Sequence, residues 1–540
     1  MALLAILATF CVFLLSREVY RLFRVISDAR AVGLPIVFVP VDQANLVWLV
    51  LSASCRFRIQ KILPAWLWER VAIAVPGWEL FQEMPYLRNN PTSRRRWYTD
   101  VNHASFTLVG LRRFEVWTAD PLVASEILGR IHDFEQPRGL ELLLGKFGPN
   151  VVTSNGDQWA RHRKIVAAVI NERISKQVFN ESIRHSRDIL QETFVTTTST
   201  ERESTVNAQL LFAKLTEVTL NVLIGAGIGD KFPWIDEKGQ QPVPPYEMTY
   251  KDALHIYLNN AFGLAMLPSW LLNHWPSWAP AYQRVRRVER SMTEFRMRNL
   301  LLLDQERRSG MAGDRREASG RPDLLTLLAE ASRSSSSIKS SDHSGAVGGR
   351  GGQQPLRLYR RGFKTIAGAL NFAVVLLARY PLWHGWLVEE IDGLFPAEVD
   401  SEEQLEYADT FARAVRLFAF VMETMRLYGS TSRLYRETSG PQLLRTSSGS
   451  TIRLPTKARL FVNSIALHHL PSWRDVNRQS DPAGFTPDRD TPDEDTFRPS
   501  RWVNPPGSQH THFHPPKGTF VPWSQGHGYA QDRKWPKWKS

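Results

Sequence analysis

A carboxylate and a guanidinium, Glu423 and Arg426, stand three residues apart in an otherwise apolar stretch, FVMETMRLYG, that reads as helix. No other feature constrains the fold as much. An ion in apolar surroundings forfeits several kcal/mol of hydration unless it is paired and hydrogen-bonded. Glu-x-x-Arg by itself is an ordinary helical ion pair. The apolar flanks turn it into a demand that the tertiary structure has to meet.

The chain has enough apolar material for such an interior. Of its 540 residues 43% are hydrophobic and 22% charged, and its 18 tryptophans point to an aromatic-rich core with some interfacial anchoring. A net charge of +13 and a pI near 9.7 favour acidic partners. No Lys/Arg run is long enough for nucleic acid, and Arg94, Arg95 and Arg96 read as a solvated turn. The two cysteines, Cys11 and Cys55, exclude a disulfide framework and fit a body facing a reducing compartment. They also limit thiolate chemistry to two positions.

Residues 2–15 are apolar except for Thr9, and Arg17, Arg21, Arg24 and Arg30 follow. The run is shorter than a hydrocarbon core of roughly 30 Å, but with its flanks it can span a thinned bilayer. The arginines hold the C-terminal side in the cytosol. A cleaved signal peptide and a buried helix are the competing readings, the first disfavoured because no positive segment precedes the run and no small-x-small site follows it. Residues 1–30 are therefore expected to be a membrane anchor with a basic flank. Residues 31–80, broken by Pro35, Pro40 and Asp42 and carrying Trp48, Trp66, Trp68 and Trp78, are expected to be a hinge and membrane-surface segment. Residues 81–540 would form the body.

Within the body, 107–116 predicts a strand or two and Asp120 caps a helix through 127. Helical patterns cover 159–170, 188–194, 210–223, 281–308, 323–331 and 365–380, the last stopping at Pro381. The class is mainly α with minor β. Residues 332–352, SRSSSSIKSSDHSGAVGGRGG, have no apolar periodicity and are expected to be a disordered loop.

Trp159 and Arg163 in QWARHRKI share a helix face, with His162 beside them, and two donors aimed at one point suit a carboxylate. Thr365 lies in GFKTIAG, and FRPSRW and FVPWSQG follow the Glu423 helix. Each pattern is weak alone. In this order, over nearly the whole chain, they resemble the membrane-anchored cytochrome P-450 family of haem-thiolate monooxygenases.

The resemblance implies a cytochrome P-450-like fold that inserts one oxygen atom from dioxygen into a lipophilic small molecule, as in secondary metabolism. It implies Trp159, His162 and Arg163 at the haem propionates and Thr365 over the distal haem face, delivering protons. It implies Glu423, Arg426 and Arg501 as a buried triad, and Phe520 to Gly526 as the start of the loop carrying the thiolate. It further implies a flavoprotein reductase drawing on NADPH, an endoplasmic-reticulum membrane with the body cytosolic, and no nucleic acid. Apolar stretches at 257–270 and 366–375 would line the substrate pocket.

Two departures oppose this. After Gly526 the family continues Gly-x-Arg-x-Cys-x-Gly, whereas here Gly528 holds the Arg position and Ala530 the Cys position. The resemblance also implies a further helix and hairpin beyond the loop, so the fold is expected to be incomplete at its C-terminus. Before Thr365, Arg361 takes the position of a small residue and Lys364 that of an acid, and PLRLYRR is basic where an apolar helix is expected. Both breaks start abruptly beside intact motif, as a mis-drawn coding boundary or a frame change leaves them. The competing readings are a haem-free, membrane-tethered remnant or scaffold, a metal site at His510, His512 and His514, and Tyr529 or His527 as a replacement ligand. Proline brackets on the three histidines favour a solvated loop there.

Overall fold

The computed structural model describes residues 2–39, 104–137, 153–169, 172–197, 208–228, 282–311, 354–395, 406–487 and 491–523, together with scattered residues between 41 and 75 and between 242 and 278. In chain order the main elements are α1 (Ala2–Ala31), β1 (Ile36–Phe38), β2 (Ser105–Val109), β3 (Phe114–Thr118), α2 (Pro121–Gly129) and β4 (Phe134–Glu135). Helices α3 (Gly156–Val169), α4 (Glu172–Thr197), α5 (Ala208–Ile228), α6 (Tyr282–Met311), α7 (Gln354–Arg379), α8 (Pro381–Leu394), α9 (Tyr407–Arg413) and α10 (Val415–Tyr428) follow. The chain ends its regular structure with β5 (Arg433–Thr438), β6 (Gln442–Arg445), β7 (Thr451–Leu454), β8 (Arg459–Asn463), α11 (Ser464–His468) and short 3-10 turns, of which Pro499–Trp502 matters most below. The expected 332–352 loop lies outside the described residues.

The chain divides into two compact units, 1–137 with 415–529 and 138–414 with 530–539, apart from the terminal residue. The first contains all the described strands. Six form one mixed sheet in the order β1-β2-β3-β8-β5-β4, and β6 and β7 make a separate hairpin. In four neighbouring strands the paired positions are aromatic. Phe106 faces Trp117, Trp117 faces Phe461, and Tyr435 faces Phe461. Their rings stack at 6.5, 4.7 and 4.5 Å. Such pairs add about 0.5–1.5 kcal/mol each beyond buried area, and they favour this register.

On the other face, α2 packs Val123, Ala124, Ile127 and Leu128 against Val116, Leu460 and Val462. The helix starts as the sequence predicts. Asp120 Oδ1 accepts from the amides of Leu122 at 2.9 Å and Val123 at 3.1 Å, with Pro121 at the first helical position. The same carboxylate accepts from the Ser447 amide and hydroxyl, both at 2.8 Å, tying α2 to the β6–β7 turn.

Helix α1 is longer than its apolar run. Phe10, Phe13, Tyr20 and Phe23 are exposed, whereas Ala29 and Val32 are buried and Val32 O accepts from Arg453 N at 3.1 Å. Among the described residues no single helix is long and apolar enough to cross a membrane. Residues 365–379 of α7 meet that length and composition only together with α8, from which they are bent by 109°.

In the second unit α5 packs against both α4 and α7. The 246–250 segment is clamped on α6. Glu294 accepts from the amides of Glu247 at 3.0 Å and Met248 at 3.2 Å, and the Arg298 guanidinium lies 4.0 Å over Tyr246. The helix expected over 365–380 starts earlier, at Gln354, and includes PLRLYRR. The basic stretch is helical after all, because Leu, Arg and Gln propagate a helix well whatever their charge. Pro381 both stops α7 and occupies the first turn of α8, where its missing N–H costs nothing.

Candidate functional site

Glu423 and Arg426 are buried in the first unit, both side chains at 0% exposure. Helix α10 places Glu423 and Arg426 on one face, and Arg426 grips the carboxylate bidentately with Nε and Nη2 both at 2.8 Å. The 3-10 turn Pro499–Trp502 closes on it from the other side. Arg501 Nε donates to Oε1 at 3.0 Å, the Arg498 amide to Oε1 at 3.0 Å, and Trp502 Nε1 to Oε2 at 2.9 Å. Five N–H groups thus converge on one carboxylate. Burial alone would raise its pKa, but the Arg426 and Arg501 guanidiniums outweigh burial and hold it at about 2.

The guanidiniums are satisfied on their remaining sides. Arg426 Nη1 donates to His468 O and Glu494 O, both at 2.6 Å. Arg501 donates to Asp493 O at 2.8 Å and to Trp473 O. Asp493 accepts from Arg498 Nε at 3.1 Å and Nη2 at 3.2 Å, and Asp481 accepts from Arg498 Nη1 at 3.0 Å. The expected triad of Glu423, Arg426 and Arg501 is therefore brought together, but as part of a wider network. Sequence reasoning missed Arg498, Trp502 and Asp493. Arg498 and Trp502 lie within FRPSRW itself, so the same argument about buried charge could have found Arg498.

Phe520 lands on this network. Its ring is 4.8 Å from Trp502, 5.0 Å from His468 and 6.0 Å from Trp473, while Arg426 lies 5.2 Å over Trp473. Gly518 allows the approach. Its φ is +86°, and a Cβ there would stand 2.0 Å from Pro121 O. Val521 is buried in the α2–sheet core, and its amide donates to His468 Nε2 at 3.0 Å. Gly526 and Ala530, like His527 and Tyr529, lie outside the described residues.

In the second unit α3 holds Trp159 buried and His162 and Arg163 half-buried, with the Arg163 guanidinium 5.2 Å over the Trp159 ring. The shared face expected from their spacing is realised as a cation–π stack. Thr365 is exposed on α7, and Ile366, Leu370 and Val374, four apart, are 50%, 38% and 40% exposed beside it. Of the expected pocket segments, Tyr257 is buried, and 261–273 lie outside the described residues.

The three alternating histidines do not share one solvated face. His510 and His514 are exposed, but His512 is buried with its ring 4.6 Å from Phe418. Packing against α10 overrides the solvated-loop expectation there. Burial, then His514, lower the His512 pKa to about 4. Among the described residues no group of three His, Cys, Asp or Glu side chains could hold a metal ion. A thiolate-held haem does not fit the donor set either. Position 530 offers a methyl group, and the only cysteines are residues 11 and 55.

The family model for cytochrome P-450 matches residues 74–526. The chain is 56% identical to a phomenoic acid biosynthesis cluster cytochrome P-450 monooxygenase of Leptosphaeria maculans, over 97% of this chain and 88% of that one. It is 24% identical to a cytochrome P-450 monooxygenase of Penicillium rubens, over 89% and 79%. The crystal structure of the cytochrome P450DA heme domain superposes with a TM-score of 0.52 at 17% identity over 80% of each chain, a likeness of fold.

Proposed function

This chain belongs to the cytochrome P-450 family of monooxygenases, and from that premise we propose that its lineage inserts one oxygen atom from dioxygen into a lipophilic small molecule of secondary metabolism. The observation that supports the reading is the Glu423 network joined to the segment at Phe520, the arrangement that the resemblance implies for a buried core beside the start of the ligand loop. The name of the Leptosphaeria maculans relative supports a place in a biosynthetic cluster. The exposed row Ile366, Leu370 and Val374 beside Thr365 supports an apolar substrate.

In a chain that held the haem, Thr365 would be the proton-delivering hydroxyl, Trp159, His162 and Arg163 would meet the propionates, and a flavoprotein reductase using NADPH would supply electrons. Helix α1 is proposed as the anchor to the endoplasmic reticulum, with the body in the cytosol.

The 540-residue chain itself favours a second reading. Ala530 has no donor atom, so we assign this exact chain no thiolate-ligated haem, and as it stands it is a membrane-tethered protein without oxygen chemistry. The reduced, carbon-monoxide-bound difference spectrum of the purified 540-residue protein tests this. No thiolate signature is expected, and Ala530→Cys alone is not expected to restore one, because Gly528 also holds the position of an arginine. A thiolate signature from the unaltered protein would overturn the assignment.

A further inference from the structure

His468 ends α11 at 2% exposure, between α10 and the segment that leads toward residue 530. Its Nδ1 is 3.1 Å from Arg426 O, and its Nε2 is 3.0 Å from Val521 N. A backbone carbonyl only accepts and a backbone amide only donates. The two contacts therefore fix one tautomer, neutral, with the proton on Nδ1 and the lone pair of Nε2 facing Val521. Both partners are themselves anchored. Arg426 is locked to Glu423, and Val521 is packed in the α2–sheet core.

We propose that His468 is the positioning residue that fixes where the ligand loop leaves the protein core, passing the register of the Glu423 network to the loop through one imidazole. This rests on the reading of the segment from Phe520 as the family's ligand loop, but it concerns only the chain's own backbone geometry. Three contacts around the loop's first residues divide the work. Gly518 admits the loop past Pro121, Phe520 fills the aromatic cluster, and among the described residues His468 is the one that reaches the main chain at Val521 from the ion network. Aromatic packing tolerates sliding, whereas a hydrogen bond to one amide sets register at a single residue. Burial pushes the imidazole down to about 3, so it stays neutral, and able to accept, throughout the physiological range.

Two amide substitutions separate the bonds. In His468→Gln the side-chain oxygen reaches the place of Nε2 and keeps the Val521 acceptor. In His468→Asn the amide nitrogen takes the place of Nδ1 and keeps only the donor to Arg426 O. Hydrogen exchange read at the Val521 amide of the full chain is expected to be near wild type in the Gln variant and about tenfold faster in the Asn variant. Equal loss in both, loss in neither, or the reverse order would overturn the proposal. Should both variants fail to fold, the wild-type protein decides. Its Val521 amide is expected to exchange as slowly as the α10 amides, and exchange at the rate of an open loop would overturn the proposal. None of these readings depends on haem, so they stand apart from the carbon-monoxide spectrum.

Discussion

Replacing Glu423 by glutamine keeps size and shape but changes what the site can accept. The carboxylate takes three N–H groups on Oε1 and two on Oε2. A glutamine amide has one acceptor oxygen, so its NH2 must face two donors in one orientation and three in the other. At best, Arg426 Nε and the Trp502 indole lose their partner. Leaving a buried pair without its carboxylate costs roughly 3–5 kcal/mol. The pKa gives a second measure. A fall from 4.5 to about 2 corresponds to about 3 kcal/mol between the charged and neutral forms. Since the folded value lies below the unfolded one, this stability is fully present above pH 4.5 and is lost as the pH falls toward 2. We expect Glu423→Gln to lower the urea-unfolding free energy by about 3–5 kcal/mol at pH 7, read by the fluorescence of Trp473 and Trp502, which border the cluster. The difference from wild type should shrink below pH 4.5. A penalty under about 1 kcal/mol, or one independent of pH, would refute the reasoning.

Three further outcomes are expected. His468 has a folded pKa of about 3 against 6.5 unfolded, so its contribution is complete above pH 6.5 and is lost as the pH falls toward 3. About 2 kcal/mol should be gone by about pH 5, and His468→Gln should flatten that slope in urea titrations between those pH values. Asp120→Ala removes the α2 cap and both Ser447 bonds and should cost about 2–3 kcal/mol in the same assay, with Asp120→Asn recovering part of it. If α1 anchors the protein, the chain should resist carbonate extraction from microsomes and its body should be cleaved by protease added outside. A body protected inside the vesicles would reject that topology.

The sequence made much of the helical part legible. The stretches at 159–170, 210–223 and 281–308 became α3, α5 and α6 with ends moved by a few residues, since apolar spacing is local information. The Asp120 cap was readable because capping needs only residues within one turn. Helix α7 begins at Gln354, upstream of the apolar stretch read as helix, because propensity and not polarity sets where a helix can start. Ordered motifs pointed to the family, and the structure brings Glu423, Arg426, Arg501 and Phe520, all named from those motifs, into one cluster.

What the sequence by itself determined is thus a demand, a charge pair in an apolar helix that must be neutralised. Only the tertiary structure decided how the demand is met. Trp502 and the Arg498 amide reach Glu423 across more than seventy residues of chain, and His468 bridges Arg426 to Val521 over 42 and 53. No local pattern encodes those contacts. A histidine in LHHL or a tryptophan after an arginine has the same helical and strand preferences wherever it lies. What selects the tryptophan is the convergence of α10 and the Pro499–Trp502 turn on one dry carboxylate, and what selects the histidine is the Arg426 beside it, where every unpaired N–H would cost about 1–3 kcal/mol.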